Sequence, residues 1–172
     1  MTLKRRGKYA YGEDVSDLRA EMARYSKRNG YPIDAFWQPV CACHESASKS
    51  ADDEGSFMIE YDDEEGAAWL LCSKCDRNYP VADSAEFEPQ SVSGCQCEHD
   101  EEYGQVLVGA ALFPGTDDVR WLYVGWRAPS CGLVGVYVDW KYDGSMTWTE
   151  IRERWGRSTS EGSRFTTVFT PS

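Results

Sequence analysis

The stretch Phe57-Met58-Ile59-Glu60-Tyr61-Asp62-Asp63-Glu64-Glu65-Gly66-Ala67-Ala68-Trp69-Leu70-Leu71-Cys72-Ser73-Lys74-Cys75 decides how this chain folds. Residues 57–61 and 67–71 are apolar-rich runs of strand length, and an acidic turn ending in Gly66 separates them. Two such runs around a polar, glycine-ended turn predict a β-hairpin. The hairpin leads straight into Cys72-x-x-Cys75, and another close pair, Cys41-x-Cys43, lies upstream. Close pairs held far apart are what a tetrahedral thiolate site needs: each supplies two sulfurs about 2.3 Å from a zinc ion. Strand hydrogen bonds set the hairpin while the metal clamps its ends, so a small unit can hold its shape. The expected first site is Cys41, Cys43, Cys72 and Cys75, holding Zn2+.

Working outward, the spacing repeats. Cys95-x-Cys97 is followed, after an interval similar to that between Cys43 and Cys72, by Ala128-Pro129-Ser130-Cys131. This reads as a second, degenerate knuckle whose first thiol is replaced by Ala128. His99 can supply the missing ligand, which makes Cys95, Cys97, His99 and Cys131 the expected second Zn2+ site. The plainer reading of His99, and of His44 beside the first pair, is a solvated loop histidine.

Other uses of these residues fit less well. A disulfide framework is disfavoured because the cysteine count, 7, is odd and a 172-residue chain with 41% apolar residues can build a core without staples. The basic start does not read as a secretory signal, so the expected compartment is the cytoplasm, where thiols stay reduced. A thioredoxin-type role for Cys72-x-x-Cys75 is disfavoured too, since Asp76-Arg77-Asn78-Tyr79-Pro80 follows rather than an amphipathic helix. Zinc deaminases pair His-x-Glu with Pro-Cys-x-x-Cys. Here His44 and Glu45 are adjacent, and Leu71 precedes Cys72. There is no HExxH, no GxSxG and no phosphate-cradling glycine loop with a following lysine. Four thiolates leave no coordination position for water, so a structural metal and no enzyme activity are expected. The longest apolar stretch, residues 106–113, is interrupted by Gly109 and is too short for a membrane span.

Elements follow from periodicity. Asp14 reads as an N-cap, with Val15, Leu18, Met22 and Tyr25 on one helical face and Asn29-Gly30 as the stop. Residues 36–43 lead as a strand into the first ligand pair. Residues 105–112, 119–126 and 133–142 are longer strands rich in Val, Leu, Tyr and Trp, expected to form the main sheet. Trp69, Trp121 and Trp140 are expected in the core, whereas Trp37, Trp126, Trp148 and Trp155 read equally as core or surface. Thr147-Trp148-Thr149-Glu150 reads as a capping box opening a short helix. Residues 46–55 and 83–102 read as loops, and 164–169 as an edge strand. The fold class expected is α+β: mainly antiparallel sheet with two zinc-ribbon-like units, the second degenerate, and a helix near each end. The organisation expected is a loose basic arm at 1–12, a helix plus first ribbon unit at 13–94, a second unit with the main sheet and short helix at 95–156, and a mobile tail at 157–172.

Charge is uneven. The net charge is −11. Residues 44–102 carry 17 acidic side chains against Lys49, Lys74 and Arg77, whereas residues 1–31 carry eight basic against four acidic. A nucleic-acid-binding ribbon would show Lys and Arg along its hairpin, because phosphate neutralisation supplies most of the affinity. This hairpin has the opposite sign, so direct nucleic-acid binding is disfavoured and a basic protein partner is expected at Glu60, Asp62, Asp63, Glu64 and Glu65.

Several segments together carry a resemblance. They are Lys4-Arg5-Arg6-Gly7-Lys8-Tyr9, the helix, Ala35-Phe36-Trp37-Gln38-Pro39-Val40-Cys41-Ala42-Cys43, Val119-Arg120-Trp121-Leu122-Tyr123-Val124-Gly125, and Cys131-Gly132-Leu133-Val134-Gly135. The chain resembles small bacterial tandem zinc-ribbon proteins of the kind found as immunity partners of polymorphic toxins. The resemblance implies a Cys-x-x-Cys at the second knuckle, from which Ala128 departs. It also implies a non-enzymatic intracellular protein that binds and occludes a cognate toxin, a basic domain acting on nucleic acid or nucleotides. The alternative is a zinc-ribbon adaptor that touches nucleic acid through its basic N-terminal arm.

Overall fold

The computed structural model describes residues 2–44, 56–92 and 100–155. Within these residues the chain opens with β1 (Lys4–Arg6), β2 (Tyr9–Tyr11) and α1 (Val15–Asn29). Strands β3 (Ala35–Trp37), β4 (Ser56–Asp62), β5 (Ala67–Cys72), β6 (Asn78–Pro80) and β7 (Ser91–Val92) follow. The long strands β8 (Gly104–Leu112), β9 (Val119–Arg127) and β10 (Leu133–Lys141) come next, then α2 (Trp148–Glu153). The architecture is mixed α and β, with a mainly antiparallel sheet and two helices.

Helix boundaries follow local chemistry. The Asp14 side chain accepts from the Asp17 amide at the start of α1, and Gly30 closes it in the left-handed region at φ 87°. Thr147 and Glu150 form a reciprocal capping box at α2. Ala67 to Leu70 and Leu122 to Val124 are buried on both faces, which is why these runs are nearly continuous in apolar residues rather than alternating.

The ten strands form one sheet in the order β1-β2-β10-β9-β8-β4-β5-β6, with β3 added on β8 and β7 on β4. The β4–β5 hairpin and the long strands therefore share a sheet: Ser56 pairs with Gln105 and Phe57 with Gly104. On one face α1 places Leu18 and Met22 against Ala10, Leu107, Tyr123 and Val134. Gly125 lies directly under Met22, where any Cβ would collide with the Met22 side chain. The opposite face is the larger core, including Phe57, Ile59, Leu70, Val106, Leu122, Val124 and Trp126, closed by Trp148 and Ile151 of α2. Trp69 and Trp140 are buried as expected, and so are Trp126 and Trp148. Trp121 is only half-buried and stacks on Tyr31 at 4.3 Å.

The first residues are not a loose arm. Gly7, at φ 62°, turns β1 back onto β2, and β2 joins β10 through Tyr11 with Leu133 and Ala10 with Val134. Burial of Ala10 beneath α1 holds the hairpin to the body. In the expected loop at 83–102, the described part contains a short 3-10 turn at Ser84–Glu86 and β7, which pairs with Glu60 and Tyr61. The expected loop at 46–55, the tail and the edge strand at 164–169 lie outside the described residues.

Candidate metal centre

Three places in the chain converge at one end of β5. Cys41 and Cys43 follow β3, with Cys43 inside a 3-10 turn at Ala42–His44. Cys72 is the last residue of β5, paired with Phe57, and Cys75 lies in the turn before β6. That turn is closed by two backbone bonds, Cys72 N–H to Arg77 carbonyl at 3.0 Å and Asp76 N–H to Cys72 carbonyl at 3.1 Å. Asp76 takes the left-handed backbone, φ 55°, that so sharp a reversal requires.

The four donor sulfurs lie within 4.8 Å of one another. Cys41 and Cys75 sulfurs are 3.4 Å apart, and those of Cys43 and Cys72 are 3.5 Å apart. A tetrahedron of sulfurs with metal bonds of about 2.3 Å has edges of about 3.8 Å, so the set matches a tetrathiolate cage and not disulfides, whose sulfurs are about 2.0 Å apart. Among the described residues no other group of three or more Cys, His, Asp or Glu side chains converges this closely.

The surroundings favour negative sulfur. Backbone N–H groups of Cys75 and Lys74 donate to the Cys72 sulfur, and that of Cys43 donates to Cys41. The Tyr79 hydroxyl lies 2.8 Å from the Cys41 sulfur. Burial is the largest influence on Cys41 and pushes its thiol up, but the bonds from Tyr79, the Cys43 backbone and the neighbouring thiols together bring it down to about 7. Cys43 and Cys72 are held above the ordinary thiol value, first by burial. One thiolate thus forms readily, while further negative charge among four adjacent sulfurs needs a cation to balance it. The donor chemistry fits a metal ion, and Cys41, Cys43, Cys72 and Cys75 are the residues that can hold it.

An aromatic wall supports this cluster. Trp155 stacks on Tyr79 at 4.4 Å and meets Trp37 edge-on at 4.9 Å, while its indole N–H donates to the Val40 carbonyl at 2.8 Å. The end of α2 is thereby tied to the segment carrying Cys41. Arg77 hydrogen-bonds the Tyr79 hydroxyl from the other side. Sequence reasoning missed Tyr79 and Trp155 as supports; the one local signal was a tyrosine four residues beyond Cys75 on the strand that leaves the knuckle.

The remaining expected site residues fare differently. Of the second set, Cys95, Cys97 and His99 lie outside the described residues. Cys131 sits in the β9–β10 turn, where its sulfur accepts from the Leu133 amide at 3.5 Å, and Ala128 is fully buried. Two of the five expected partner-binding carboxylates do not face outward. Glu60 is 0% exposed because β4 is flanked there by Trp69 of β5 and Val92 of β7, and its carboxyl accepts from Asn78 Nδ2 at 2.8 Å. Burial raises the Glu60 pKa, and the Asn78 bond only partly offsets that. Asp62, 7% exposed, is spent on the turn itself: its Oδ1 accepts from the amides of Glu64 at 2.9 Å and Glu65 at 3.1 Å. Asp63, Glu64 and Glu65 are exposed. Desolvation, then the charges of Asp139 and Asp62, hold Asp63 above the usual carboxylate value.

No helix among the described residues is long and apolar enough to cross a membrane. No protein-family model, curated protein or solved structure matches this chain.

Proposed function

We propose that this chain is a non-enzymatic zinc protein of the immunity type, which binds a basic toxin domain through the β4–β5 turn and covers its cationic substrate cleft. Zinc is assigned because four cysteine thiols in a tetrahedral arrangement suit a closed structural zinc site, in which no ligand position is left for a reacting water. One observation carries the reading: a single hairpin joins the cysteine cluster at one end to three exposed carboxylates, Asp63, Glu64 and Glu65, at the other. The six residues of β5 span about 20 Å, so the clamp and the turn are separated but mechanically continuous. Burial and, after it, repulsion from Asp139 and Asp62 raise the Asp63 carboxyl, and a docking cationic surface offsets the repulsive part while the acidic segment steers the approach.

The test uses the product of the adjacent reading frame as the toxin candidate. Co-expression protects cells from it, and the purified pair associates at a rate that falls steeply as salt shortens the screening length to about 8 Å near 0.15 M. Replacing Asp63, Glu64 and Glu65 by Asn, Gln and Gln slows association about tenfold or more at low salt. A pair that associates equally fast with and without these carboxylates rules out the turn as the docking element, and an adjacent product without toxicity removes the immunity role.

A further inference from the structure

At the opposite end of the sheet a cavity of about 380 Å³ lies between the β1–β2 hairpin and the β9–β10 turn, lined by Thr2, Lys4, Arg6, Tyr11, Glu13 and Cys131 among others. Its volume is in the range of small-ligand sites. Alternation along β1 explains its sign. Arg5 points to the helix face and pairs with Glu21, whereas Lys4 and Arg6 point to the other face and into the cavity. Among the described residues neither Lys4 nor Arg6 has a carboxylate partner; the contact of Arg6 is the Tyr11 ring at 5.6 Å.

A third cation stands behind the wall. Arg127 is only 9% exposed, and its guanidinium donates to the carbonyls of Gly12 and Glu13 and to the Gln105 side-chain oxygen; among the described residues no carboxylate is its partner. Buried charges are ordinarily paired with an opposite charge. Lys4 and Arg6 line the cavity with Glu13, while Arg127 and the Asp17 carboxylate both stand behind that wall, Arg127 on the carbonyls of Gly12 and Glu13 and Asp17 on Thr2 and the Glu13 amide. In a chain of net charge −11 this local excess of positive charge is unlike the rest of the molecule.

We infer that this cavity binds the phosphate of a small phosphomonoester or of a nucleotide unit, with Lys4 and Arg6 as direct donors, the Tyr11 hydroxyl within the same wall, and Arg127 contributing field from behind. A phosphate carries up to two negative charges and several acceptor oxygens, which matches two converging charged donors better than a single carboxylate would. The remaining volume accommodates the group the phosphate is attached to. This site is separate from the acidic turn and does not depend on the immunity reading.

The test titrates inorganic phosphate, adenosine 5′-monophosphate and a short single-stranded oligothymidylate into the full-length ¹⁵N-labelled protein at constant ionic strength. Saturable shifts at Lys4, Arg6, Tyr11 and Gly12 with at least one probe, reached at roughly millimolar concentration or below, are expected. Equal affinity for the first two probes marks a phosphate site alone, preference for the monophosphate marks a mononucleotide site, and preference for the oligomer marks a nucleic-acid backbone site. Lys4→Ala combined with Arg6→Ala weakens the favoured probe about tenfold or more, while Arg5→Ala, on the other face, changes it less than about twofold. Lys4 and Arg6 are exposed in β1, and in Arg5→Ala the Glu21 carboxylate keeps its pairing with Arg24; an unchanged amide spectrum outside β1 checks that each variant is folded. The inference is overturned if no probe moves these resonances, or if the double variant binds as the parent does.

Discussion

The two hairpins that lie toward opposite ends of the sheet are fastened by opposite chemistry. The β1–β2 hairpin is basic, and carboxylates hold it. Asp17 accepts from the Thr2 amide at 3.0 Å, the Thr2 hydroxyl at 3.1 Å and the Glu13 amide at 2.8 Å, while Glu21 pairs with Arg5 and Arg24. The β4–β5 hairpin is acidic at its turn, and four close cysteine sulfurs that can hold a metal ion gather at its other end. Each end is thus secured by groups that its own exposed charges could not supply. On the proposed zinc reading the difference also sets what disturbs each end: chelation and thiol oxidation at the cysteine cluster, acid at Asp17.

The comparison can be broken most severely at the sulfurs. Cys72→Ser, or removal of metal with a strong chelator, is expected to lower the thermal midpoint by about 10 °C or more and to raise amide exchange in β5 and β6, because a structural metal contributes folding free energy directly. Exchange in β1 and β2 should stay near the parental rate; equal loosening of both hairpins would show that they do not act separately. Next in size is Asp17→Ala, which leaves three donors without their acceptor and should cost roughly 2 kcal/mol in urea unfolding, loosening only the basic hairpin. Trp155→Ala removes the stack on Tyr79 and the bond to the Val40 carbonyl, with an expected cost of about 1–2 kcal/mol and faster metal loss to a chromogenic chelator.

The smallest effects concern pH. Hydrogen bonds led by the Glu13 amide hold Asp17 below its ordinary value of 3.8, so its contribution is present above that value and fades as pH falls through the lowered one. Glu60 behaves in the opposite sense. Burial raises it above 4.5, so it stabilises the fold fully below that pH and the contribution is lost as pH rises through the elevated value. One oxygen of Glu60 and the carbonyl oxygen of Asn78 are buried without hydrogen-bond partners, an arrangement that a neutral side chain able to donate relieves. Glu60→Gln should therefore match the parent near pH 5 and be equal or more stable near pH 8 in parallel urea titrations, and a loss of stability at pH 8 would contradict this account.

Much of this frame was legible residue by residue. Asp14 and Gly30 delimit α1, Thr147 and Glu150 open α2, and the acidic, glycine-ended turn at residues 62–66 places a hairpin, because caps and turns are read from chemistry within four residues. The clustering of Cys41, Cys43, Cys72 and Cys75 was legible for the same reason, since the spacing within each close pair is local even though Cys43 and Cys72 are 29 residues apart. What escaped was non-local. Which hairpin carboxylates face water depends on β7, a two-residue strand from a polar stretch without any strand pattern of its own, which helps bury Glu60. The β1–β2 hairpin escaped because its basic residues mimic a solvated arm, and only Ala10, packed under α1, reveals that the strand belongs to the sheet. Trp155 lies at the end of α2, and its role appears only once that helix has folded back over β3 and the first cysteine pair.

The central claim is that Cys41, Cys43, Cys72 and Cys75 clamp the acidic hairpin through one zinc ion. X-ray absorption at the zinc edge, on protein purified without added metal or chelator, tests it most directly. The account predicts a first shell of four sulfurs at about 2.3 Å, which is lost in Cys72→Ser. A shell containing nitrogen or oxygen in the parent protein, or zinc absorption no stronger than background, would contradict it.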